Sequence, residues 1–356
     1  MTRVAAIGLG KASEMFHVPA LQRIAGVELV GGCDLSAASR ERWHKATGAL
    51  TFETVDEMLQ RTRPDIVVVG TPPTSHVELC LRAIESGCHV FCEKPLAETA
   101  ADADRIVRAA AAAHRHVSVN LEFREHPIFR AVKSGVASGR YGRLVFCQVW
   151  QLVDLPPWEE PAEWRARMAD RALLEGGVHL VDLLIAIAGE PPIAVSCQHS
   201  SGVHDSDADA VQLVTLEFQG GRLGQITMNR LCRAAPRYLE VRADCEHASL
   251  RASLGGRALV RLGLKRAERA GARLEFGLGG LAWAEHGLTR TRLARSPRDA
   301  TMLGTTRLLE GLIQAIADDR APPSSAQEAR DVLAVIEAAY ESARTGARVP
   351  LGAPRV

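Results

Sequence analysis

The sequence VAAIGLGKASE, residues 4–14, joins a short apolar run to a glycine turn. The run is typical of a buried strand, and the Gly8-Leu9-Gly10 turn lets backbone amides approach a pyrophosphate. Short glycine motifs also occur by chance, and Ser13 stands where a complete fingerprint has glycine or alanine. An ordinary tight turn between strand and helix is therefore the alternative. Asp34 favours the dinucleotide site, because it follows the next predicted strand, where an acid accepts hydrogen bonds from ribose hydroxyls.

A second motif, Glu93-Lys94-Pro95, follows the strand-like residues 89–92. It places a lysine at the end of another strand in the same run of strand–helix units. Because ligands of open parallel sheets bind outside the carboxyl ends of the strands, both motifs are expected at one edge. Together they predict a nicotinamide site with a cation beside the reacting carbon.

The first third of the chain alternates apolar runs with helical patterns. The predicted strands are residues 27–33, 65–70, 89–92 and 116–119, and the predicted helices are residues 15–24, 75–85 and 100–113. This alternation implies right-handed crossovers and a doubly wound parallel sheet.

From about Tyr141 the pattern changes to successive strands with short polar connections. These predicted strands are residues 144–152, 193–200, 211–218, 222–228 and 237–243, and helices are predicted over residues 305–317 and 326–343. A run of strands with few helices between them indicates a mainly antiparallel sheet in a second domain. The predicted fold class of the first domain is α/β.

Composition excludes several classes of protein. The 356 residues are 47% apolar and 24% charged, which indicates a globular chain of about two domains. A formal net charge of +1 gives no electrostatic case for binding nucleic acid. The eight cysteines form no zinc-type CxxC pair, so we expect no metal, with Cys88 and Cys92 as the alternative. No apolar run approaches membrane-spanning length, and we expect a cytoplasmic protein without a membrane partner.

The segment Thr71-Pro72-Pro73-Thr74-Ser75-His76 follows the most apolar predicted strand. Prolines stiffen such a turn, Ser75 is positioned to cap the next helix, and the loop would face the ligand crevice. Simple turn chemistry explains the prolines equally well. On its own, His76 is as consistent with a surface or capping role.

The segment from Glu175 to Asp182 carries a carboxylate and a histidine four positions apart. If the segment is helical from its start, Glu175 and His179 share a face. A histidine titrates near neutral pH and takes a hydroxyl proton, while a nearby carboxylate orients it. The alternative makes His179 a hydrogen-bonded core histidine and Asp182 its local helix partner.

These segments together resemble the glucose–fructose oxidoreductase / inositol dehydrogenase / MocA family. The matching text is AIGLGKASEMFHVPAL (6–21), VVVGTPPTSHVELCLRAIESGCHVFCEKPLAET (67–99), Trp164-Arg165, GGVHLVDLL (176–184) and VIEAAYESARTGARVPL (335–351). The resemblance covers nearly the whole chain in order. It implies a Rossmann domain over residues 1–122, completed by a helix over about 326–345. It also implies a substrate-binding and oligomerisation α/β domain over residues 123–320, built on a mainly antiparallel open sheet.

By resemblance, Lys94 is the catalytic lysine and His179 the general acid/base. The family commonly has aspartate where this chain has Glu175, and asparagine where it has Pro73. The catalytic set is therefore Lys94, His179 and Glu175. The residues expected to bind the cofactor are Gly8, Leu9, Gly10, Lys11, Ala12, Ser13, Asp34, Thr71, Pro72, Pro73, His76, Glu93, Lys94, Asn120, Glu122, Trp164 and Arg165.

The predicted activity is NAD(P)-dependent interconversion of a secondary alcohol and a ketone on a sugar, cyclitol or similar polyol. Asp34 would repel a 2′-phosphate and so favours NAD, while Ser36 and Arg40 keep NADP as an alternative. The functional alternatives are a cofactor-binding regulator without turnover and an imine or biliverdin-type reductase. The resemblance implies a homodimer or homotetramer.

The segment over residues 251–298 is basic, with about eleven basic residues against about three acidic ones. A solvated sheet edge is one interpretation. A subunit-contact arm using Leu278, Leu281 and Trp283 is another, and an anion-binding or membrane-facing surface is a third.

Overall fold

The computed structural model describes residues 1–156, 163–168, 171–203, 205, 208–233, 237–255, 280–287 and 289–352. The chain forms two compact units. The first comprises Met1–His126, Leu174–Asp182 and Asp299–Ala338, and the second comprises Pro127–Leu173, Leu183–Arg298 and Ala339–Val356. The division into folding domains at residues 122 and 320, with the helix at 326–345 returning to the first, stays a prediction.

The strands and helices are numbered along the chain. The strands are β1 (Thr2–Ile7), β2 (Val27–Cys33), β3 (Leu50–Phe52), β4 (Ile66–Val69), β5 (His89–Cys92), β6 (Val117–Val119), β7 (Leu144–Leu152), β8 (Ala194–Ser200), β9 (Val211–Glu217), β10 (Leu223–Asn229), β11 (Arg237–Cys245), β12 (Ser249–Leu254), β13 (Leu281–His286), β14 (Thr289–Arg295) and β15 (Val349–Pro350). The helices are α1 (Val18–Leu21), α2 (Ala37–Thr47), α3 (Val55–Thr62), α4 (His76–Glu85), α5 (Ala100–Ala112), α6 (Pro127–Ala137), α7 (Glu163–Ala166), α8 (Ala172–Glu175), α9 (Val178–Ala188), α10 (Ala300–Asp318) and α11 (Ala326–Thr345).

A six-stranded sheet in the order β3-β2-β1-β4-β5-β6 organises the first unit. Every neighbouring pair of its strands is parallel. All four residues of β4 are buried, as a strand covered by helices on both faces requires. From α10, Leu308, Leu309 and Leu312 join the core cluster of this unit, and none of the three is exposed. The predicted doubly wound sheet is confirmed.

The helix after the glycine turn departs from the expected span of residues 15–24. A π-helical turn runs over Ser13–His17, and α1 follows over Val18–Leu21. The amide of Val18 donates to the carbonyl oxygen of Ser13, which is the wider π pattern. Pro19 has no amide hydrogen to continue an α-helical ladder through this region, which accounts for the irregular turn.

A nine-stranded sheet in the order β14-β13-β12-β11-β7-β10-β9-β8-β15 organises the second unit. Its neighbours are antiparallel except β7 and β10, which are parallel. The mainly antiparallel open sheet is therefore confirmed. No strands were predicted individually at β12, β13 and β14; in β14, arginines at positions 290, 292 and 295 obscure an apolar pattern.

Part of the basic segment over residues 251–298 lies outside the described residues, including Leu278. Within the described part, two guanidinium groups lie over the Trp283 ring. The guanidinium carbon of Arg251 lies 5.6 Å from the ring centroid, and that of Arg290 lies 5.0 Å from it. Glu285 forms ion pairs with the same two arginines. Arg251 and Arg290 therefore have intramolecular partners. The role of the segment as a contact arm stays a prediction.

A search of the described residues for membrane spans finds no helix with both the length and the apolar character to cross a bilayer.

The need for glycine at position 8 can be tested by comparison with Gly26. Gly8 and Gly26 both have positive φ angles, 85° and 79°. A Cβ atom on Gly8 would lie 2.8 Å from the backbone of Gly70 and Thr71, whereas one on Gly26 would meet nothing within 4 Å. We expect Gly8→Ala to lower the free energy of unfolding by about 1–3 kcal/mol more than Gly26→Ala, because only the first adds steric overlap to backbone strain. Urea denaturation measures both, and equal losses would contradict the close approach.

Candidate active site

The glycine turn is held by the carboxylate of Asp34, which follows β2. The backbone amide of Leu9 donates to Asp34 Oδ2 at 2.7 Å, and that of Ser36 donates to Oδ1 at 2.8 Å. A Cβ atom on Gly10 would meet nothing within 4 Å, so the backbone there is open to close approach. Lys11 is exposed and Ala12 half-buried, whereas Ser13 is fully buried. Any effect of Ser13 on a ligand would therefore be indirect, through the glycine turn.

The turn after β4 is tied to the end of β5 by a buried histidine. His76 Nε2 lies 2.8 Å from the carbonyl oxygen of Thr71, and its Nδ1 lies 2.8 Å from that of Pro95. Burial, the largest influence, lowers the pKa of His76, although both carbonyl contacts favour the charged ring. Its position connects the Thr71-Pro72-Pro73 turn to the loop carrying Lys94, so it acts on the loops rather than at the surface of the site.

A network around Glu93 joins the ends of β5 and β6. Glu93 Oε1 lies 2.7 Å from His17 Nε2 and accepts a hydrogen bond from Asn120 Nδ2 at 2.7 Å. Thr305 of α10 in turn donates to Asn120 Oδ1 at 3.1 Å. Burial opposes ionisation of Glu93, but the bonds from His17 and Asn120 and the Lys94 charge outweigh it and lower its pKa to about 2. Glu93 is therefore a carboxylate at neutral pH.

Lys94 contacts Glu175, another member of the predicted catalytic set. Its Nζ donates to the carbonyl oxygen of Glu175 at 2.8 Å and lies 3.6 Å from Glu175 Oε1. The expected helical face shared by Glu175 and His179 is interrupted, because α8 ends at Glu175 and α9 begins at Val178. Gly176 and Gly177 separate the two helices, and this break leaves the Glu175 carbonyl available to Lys94.

His179 is buried near a second carboxyl group. Its Nδ1 lies 3.7 Å from Glu122 Oε2, and its ring packs against Phe123 with the centroids 4.6 Å apart. Burial, then the Lys94 charge, lowers the pKa of His179 well below its ordinary value. Burial, then the Glu93 charge, raises the pKa of Glu122 to about 8. At neutral pH the imidazole is therefore neutral, and Glu122 carries a proton.

An ion pair fixes α9 against the turn that carries Glu122. Arg124 Nε donates to Asp182 Oδ2 at 3.0 Å, and its Nη2 contacts Asp182 Oδ1. Its Nη1 donates to Glu328 of α11 at 2.9 Å. Asp182 lies three positions after His179 in the same helix, so this buried bidentate pair orients the histidine.

The predicted site residues divide between the two units. The first unit contains the glycine turn, Asp34, the Thr71–His76 segment, Glu93, Lys94, Asn120, Glu122, Glu175 and His179. Trp164 and Arg165 belong to α7 in the second unit, where the guanidinium carbon of Arg165 lies 5.0 Å from the Trp164 ring centroid.

Sequence reasoning missed three supporting residues, His17, Arg124 and Thr305. His17 lies in the quoted N-terminal stretch, and Arg124 follows Asn120 closely along the chain. Only the folded chain shows that His17 contacts Glu93, that Arg124 pairs with Asp182 and that Thr305 donates to Asn120.

Among the described residues, no group of three or more histidines, cysteines, aspartates or glutamates is arranged to hold a metal ion. Cys88 donates from Sγ to the carbonyl oxygen of Pro64 at 3.2 Å.

The glycine turn, the acid after β2 and the lysine after β5 have the arrangement expected of a dinucleotide-binding oxidoreductase with a Rossmann fold. Comparison with family models agrees. The model described as "Oxidoreductase family, NAD-binding Rossmann fold" matches residues 2–121, and the "GFO/IDH/MocA C-terminal domain" model matches residues 129–251. The chain belongs to the Gfo/Idh/MocA oxidoreductase family, and the expected nicotinamide cofactor is confirmed as NAD by the family's Rossmann domain.

Curated relatives match large parts of the chain. 1,5-Anhydro-D-fructose reductase of Ensifer adhaerens is 30% identical over 63% of this chain and 68% of its own length. The rhizopine catabolism protein MocA of Rhizobium meliloti is 27% identical over 64% and 71%. D-Apiose dehydrogenase of Paraburkholderia graminis is 27% identical over 98% and 89%.

Solved structures share the fold over almost the entire chain. The WlbA dehydrogenase of Bordetella pertussis, crystallised with NADH and UDP-GlcNAcA, has a TM-score of 0.77 and 23% identity, covering 99% of this chain and 98% of its own. An oxidoreductase of Agrobacterium radiobacter, crystallised with NAD⁺, L-tartaric acid and magnesium, has a TM-score of 0.81 and 17% identity, with 98% of each chain covered.

The Glu93 network has a pH signature. We expect Glu93→Gln to lower the free energy of unfolding by about 1–3 kcal/mol at pH 7, because it weakens charged hydrogen bonds to His17 and Asn120. The folded pKa of about 2 lies below the ordinary value of the carboxyl group. The stabilisation is therefore complete above the unfolded pKa and is lost as pH falls towards 2.

Thermal unfolding between pH 7 and pH 3 measures this effect, with Glu57→Gln as control. Glu57 forms an exposed ion pair with Arg61, for which we expect at most about 1 kcal/mol. A Glu93→Gln difference that stays constant on acidification would contradict the charged network.

Proposed function

We propose that the protein is an NAD-dependent dehydrogenase or reductase. It interconverts a secondary alcohol and a ketone on a sugar, cyclitol or similar polyol. The observation that carries this proposal is the grouping of Lys94, Glu175 and His179 in the unit that contains the glycine turn and Asp34. A regulator that only binds the cofactor needs the turn, but it does not need a lysine and a histidine for proton chemistry.

Lys94 supplies the positive charge beside the reacting oxygen. Its ammonium group has three donors and uses one on the Glu175 carbonyl, with the Glu175 carboxylate at 3.6 Å. The remaining donors suit a substrate oxygen that gains negative character during reaction. Charge stabilisation in a site sheltered from water is usually a large part of enzymatic rate enhancement.

His179 acts as the base in the direction of alcohol oxidation and as the acid in ketone reduction. Its lowered pKa keeps the imidazole neutral at physiological pH, so a nitrogen lone pair is available to accept the hydroxyl proton. Acid/base assistance of this kind contributes about 10²–10⁴-fold in rate. Arg124 and Phe123 hold the helix and the ring in place.

The residues at the ends of β1, β2 and β4 fit a dinucleotide. Gly10 has open space where a side chain would project, which permits close contact between backbone and pyrophosphate. The proposed contacts are Gly8 to Ala12 at the phosphates, Asp34 at the adenosine ribose, and Thr71, Pro72 and Pro73 beside the nicotinamide half. Glu93, Lys94, Asn120 and Glu122 are the proposed lining around the nicotinamide. The cofactor supplies hydride acceptance or donation.

The substrate class rests on the named relatives. They include an inositol 2-dehydrogenase, a D-glucoside 3-dehydrogenase and a D-apiose dehydrogenase. Each of these names contains a polyhydroxylated compound, either a cyclitol or a sugar. Assembly as a homodimer or homotetramer, and a place in the cytoplasm, remain parts of this proposal.

Reduced-nicotinamide absorbance with a panel of substrates tests the proposal. With NAD⁺ we expect an increase with at least one of myo-inositol, methyl D-glucoside, D-apiose and 1,5-anhydro-D-glucitol. With NADH we expect a decrease with 1,5-anhydro-D-fructose if the reductive direction dominates. No change with any of them, while calorimetry shows NAD binding, would favour the non-catalytic alternative.

Replacing Lys94 or His179 by alanine separates chemistry from cofactor binding. We expect each variant to lower kcat/KM by at least about 10²-fold, because the proposed contacts are with the reacting oxygen. NAD affinity, measured by calorimetry, should change much less. Glu175→Gln keeps the carbonyl that accepts from Lys94, so its effect should be smaller. Near-normal turnover in either alanine variant would remove that residue from the mechanism.

Cofactor preference is expected to depend on Asp34. Its carboxylate would accept from the ribose hydroxyls of NAD and repel the 2′-phosphate of NADP. We expect wild type to bind NAD more tightly and Asp34→Asn to narrow the difference about tenfold or more. Asp34→Asn is preferred to alanine because one side-chain oxygen can still accept from the Leu9 amide. Tighter binding of NADP by the wild type, measured by fluorescence titration, would contradict this assignment.

A further inference from the structure

We propose that Glu122 is a positioning residue behind His179 and takes the proton that His179 would otherwise hold as an imidazolium. This inference rests on the proposed function. It adds a second group to the acid/base machinery, so that Glu122 and His179 act as one proton-accepting pair.

The geometry of the pair is the primary observation. Glu122 Oε2 lies 3.7 Å from His179 Nδ1, and among the described residues Nδ1 has no hydrogen-bond partner although it is shielded from solvent. At this distance the pair is a close contact rather than a hydrogen bond. Catalytic hydrogen bonds commonly tighten when substrate binds, and a small rotation of the carboxyl group would suffice here.

The backbone around Glu122 is fixed on two sides. Gly304 of α10 lies so close that a Cβ atom on it would be 2.6 Å from the Glu122 carbonyl oxygen. Two residues further along the chain, Arg124 forms its buried pair with Asp182 of the His179 helix. The turn and the helix are therefore held at a constant separation, and Phe123 limits rotation of the imidazole.

The charged groups facing the pair favour a proton on the carboxyl group. Burial opposes charge on both members, and the Lys94 ammonium further disfavours an imidazolium. The charges of Glu93 and Asp182 disfavour ionisation of Glu122, whereas the Lys94 charge favours it. With burial as the largest influence, the net effect raises the pKa of Glu122 to about 8. Glu122 therefore holds a proton more readily than His179 does.

The proton balance follows from the two imidazole nitrogens. During alcohol oxidation, the hydroxyl proton forms a bond to His179 Nε2 while the Nδ1–H bond breaks and its proton passes to Glu122 Oε2. The histidine ends neutral with its proton on the other nitrogen, and Glu122 ends as a neutral acid. In ketone reduction both transfers reverse. Neither direction requires a lasting imidazolium beside Lys94.

This relay sets the direction of the pH dependence. Oxidation requires ionised Glu122, so kcat/KM for the alcohol should rise with pH through about 8, the pKa of Glu122. If His179 acted alone, the rise would occur at the lower pKa of the buried imidazole. The two mechanisms therefore predict that kcat/KM rises at different pH values, at the lower pH if His179 acts alone.

Infrared difference spectroscopy on the protein without cofactor tests the pair independently of substrate. A protonated carboxyl group has a carbonyl-stretch band that an ionised carboxylate lacks. We expect a band in the wild type that disappears with a midpoint near pH 8 and is absent from Glu122→Gln. In His179→Asn the midpoint should change, because the carboxyl group loses its proposed imidazole partner. Asp209→Asn is the matched control, because burial also raises the pKa of Asp209 in the second unit. Asp209→Asn should not change the part of the carbonyl-stretch band whose midpoint depends on His179.

The kinetic measurement uses a polyol from the panel that turns over. We expect Glu122→Gln to lower kcat/KM about 10²-fold and to lose the rise near pH 8, while Glu122→Asp retains a displaced rise. Glu122→Asp also serves in both measurements if the glutamine variant does not fold. Identical infrared spectra in wild type and Glu122→Gln, or a midpoint unaffected by His179→Asn, would overturn the proposal. Lack of turnover with every polyol would overturn the proposed function instead, and the infrared result would still decide the role of Glu122.

Discussion

The carboxylate of Glu93 connects the segments on which the candidate site depends. It contacts His17 from the turn after β1 and Asn120 from the end of β6, and Lys94 is its immediate neighbour. Asn120 extends the network to Thr305 of α10. A charged group with several short hydrogen bonds tolerates little displacement, because each bond is stronger in a buried setting than in water. The position of Lys94 is therefore fixed by the same interactions that hold the strand ends together.

Burial and the neighbouring charges determine which side chains of the site carry a proton. Glu93 is held ionised by its hydrogen bonds, whereas burial and the Glu93 charge raise the pKa of Glu122, which keeps its proton at neutral pH. Burial lowers the pKa of His179, and the Lys94 ammonium, which contacts Glu175, lowers it further. Glu93 and Glu122 thus have different protonation states because their surroundings differ. Such separation of pKa values is a common property of acid/base sites.

The sequence predicted the parts of the site that local patterns determine. Lys94 follows a short apolar strand with a distinctive tripeptide, and the glycine turn before Asp34 has its usual strand–turn–helix setting. The parallel sheet followed from alternating patterns. The π turn at Ser13–His17 and the break between Glu175 and Val178 were missed, because they depend on hydrogen bonding that neither composition nor periodicity records. The pairing of Glu122 with His179 also required the folded chain, since the two residues are distant in sequence and belong to different elements.

Isotope transfer is the most direct test of the central claim that this unit performs nicotinamide-dependent oxidation of a secondary alcohol. A polyol deuterated at the reacting carbinol carbon would be incubated with the protein and NAD⁺, and the reduced cofactor examined by NMR. The account predicts deuterium at C4 of the nicotinamide on one face of the ring, with transfer greatly slowed in Lys94→Ala. Ketone formation without deuterium in the cofactor, or no transfer from any polyol tested, would contradict it.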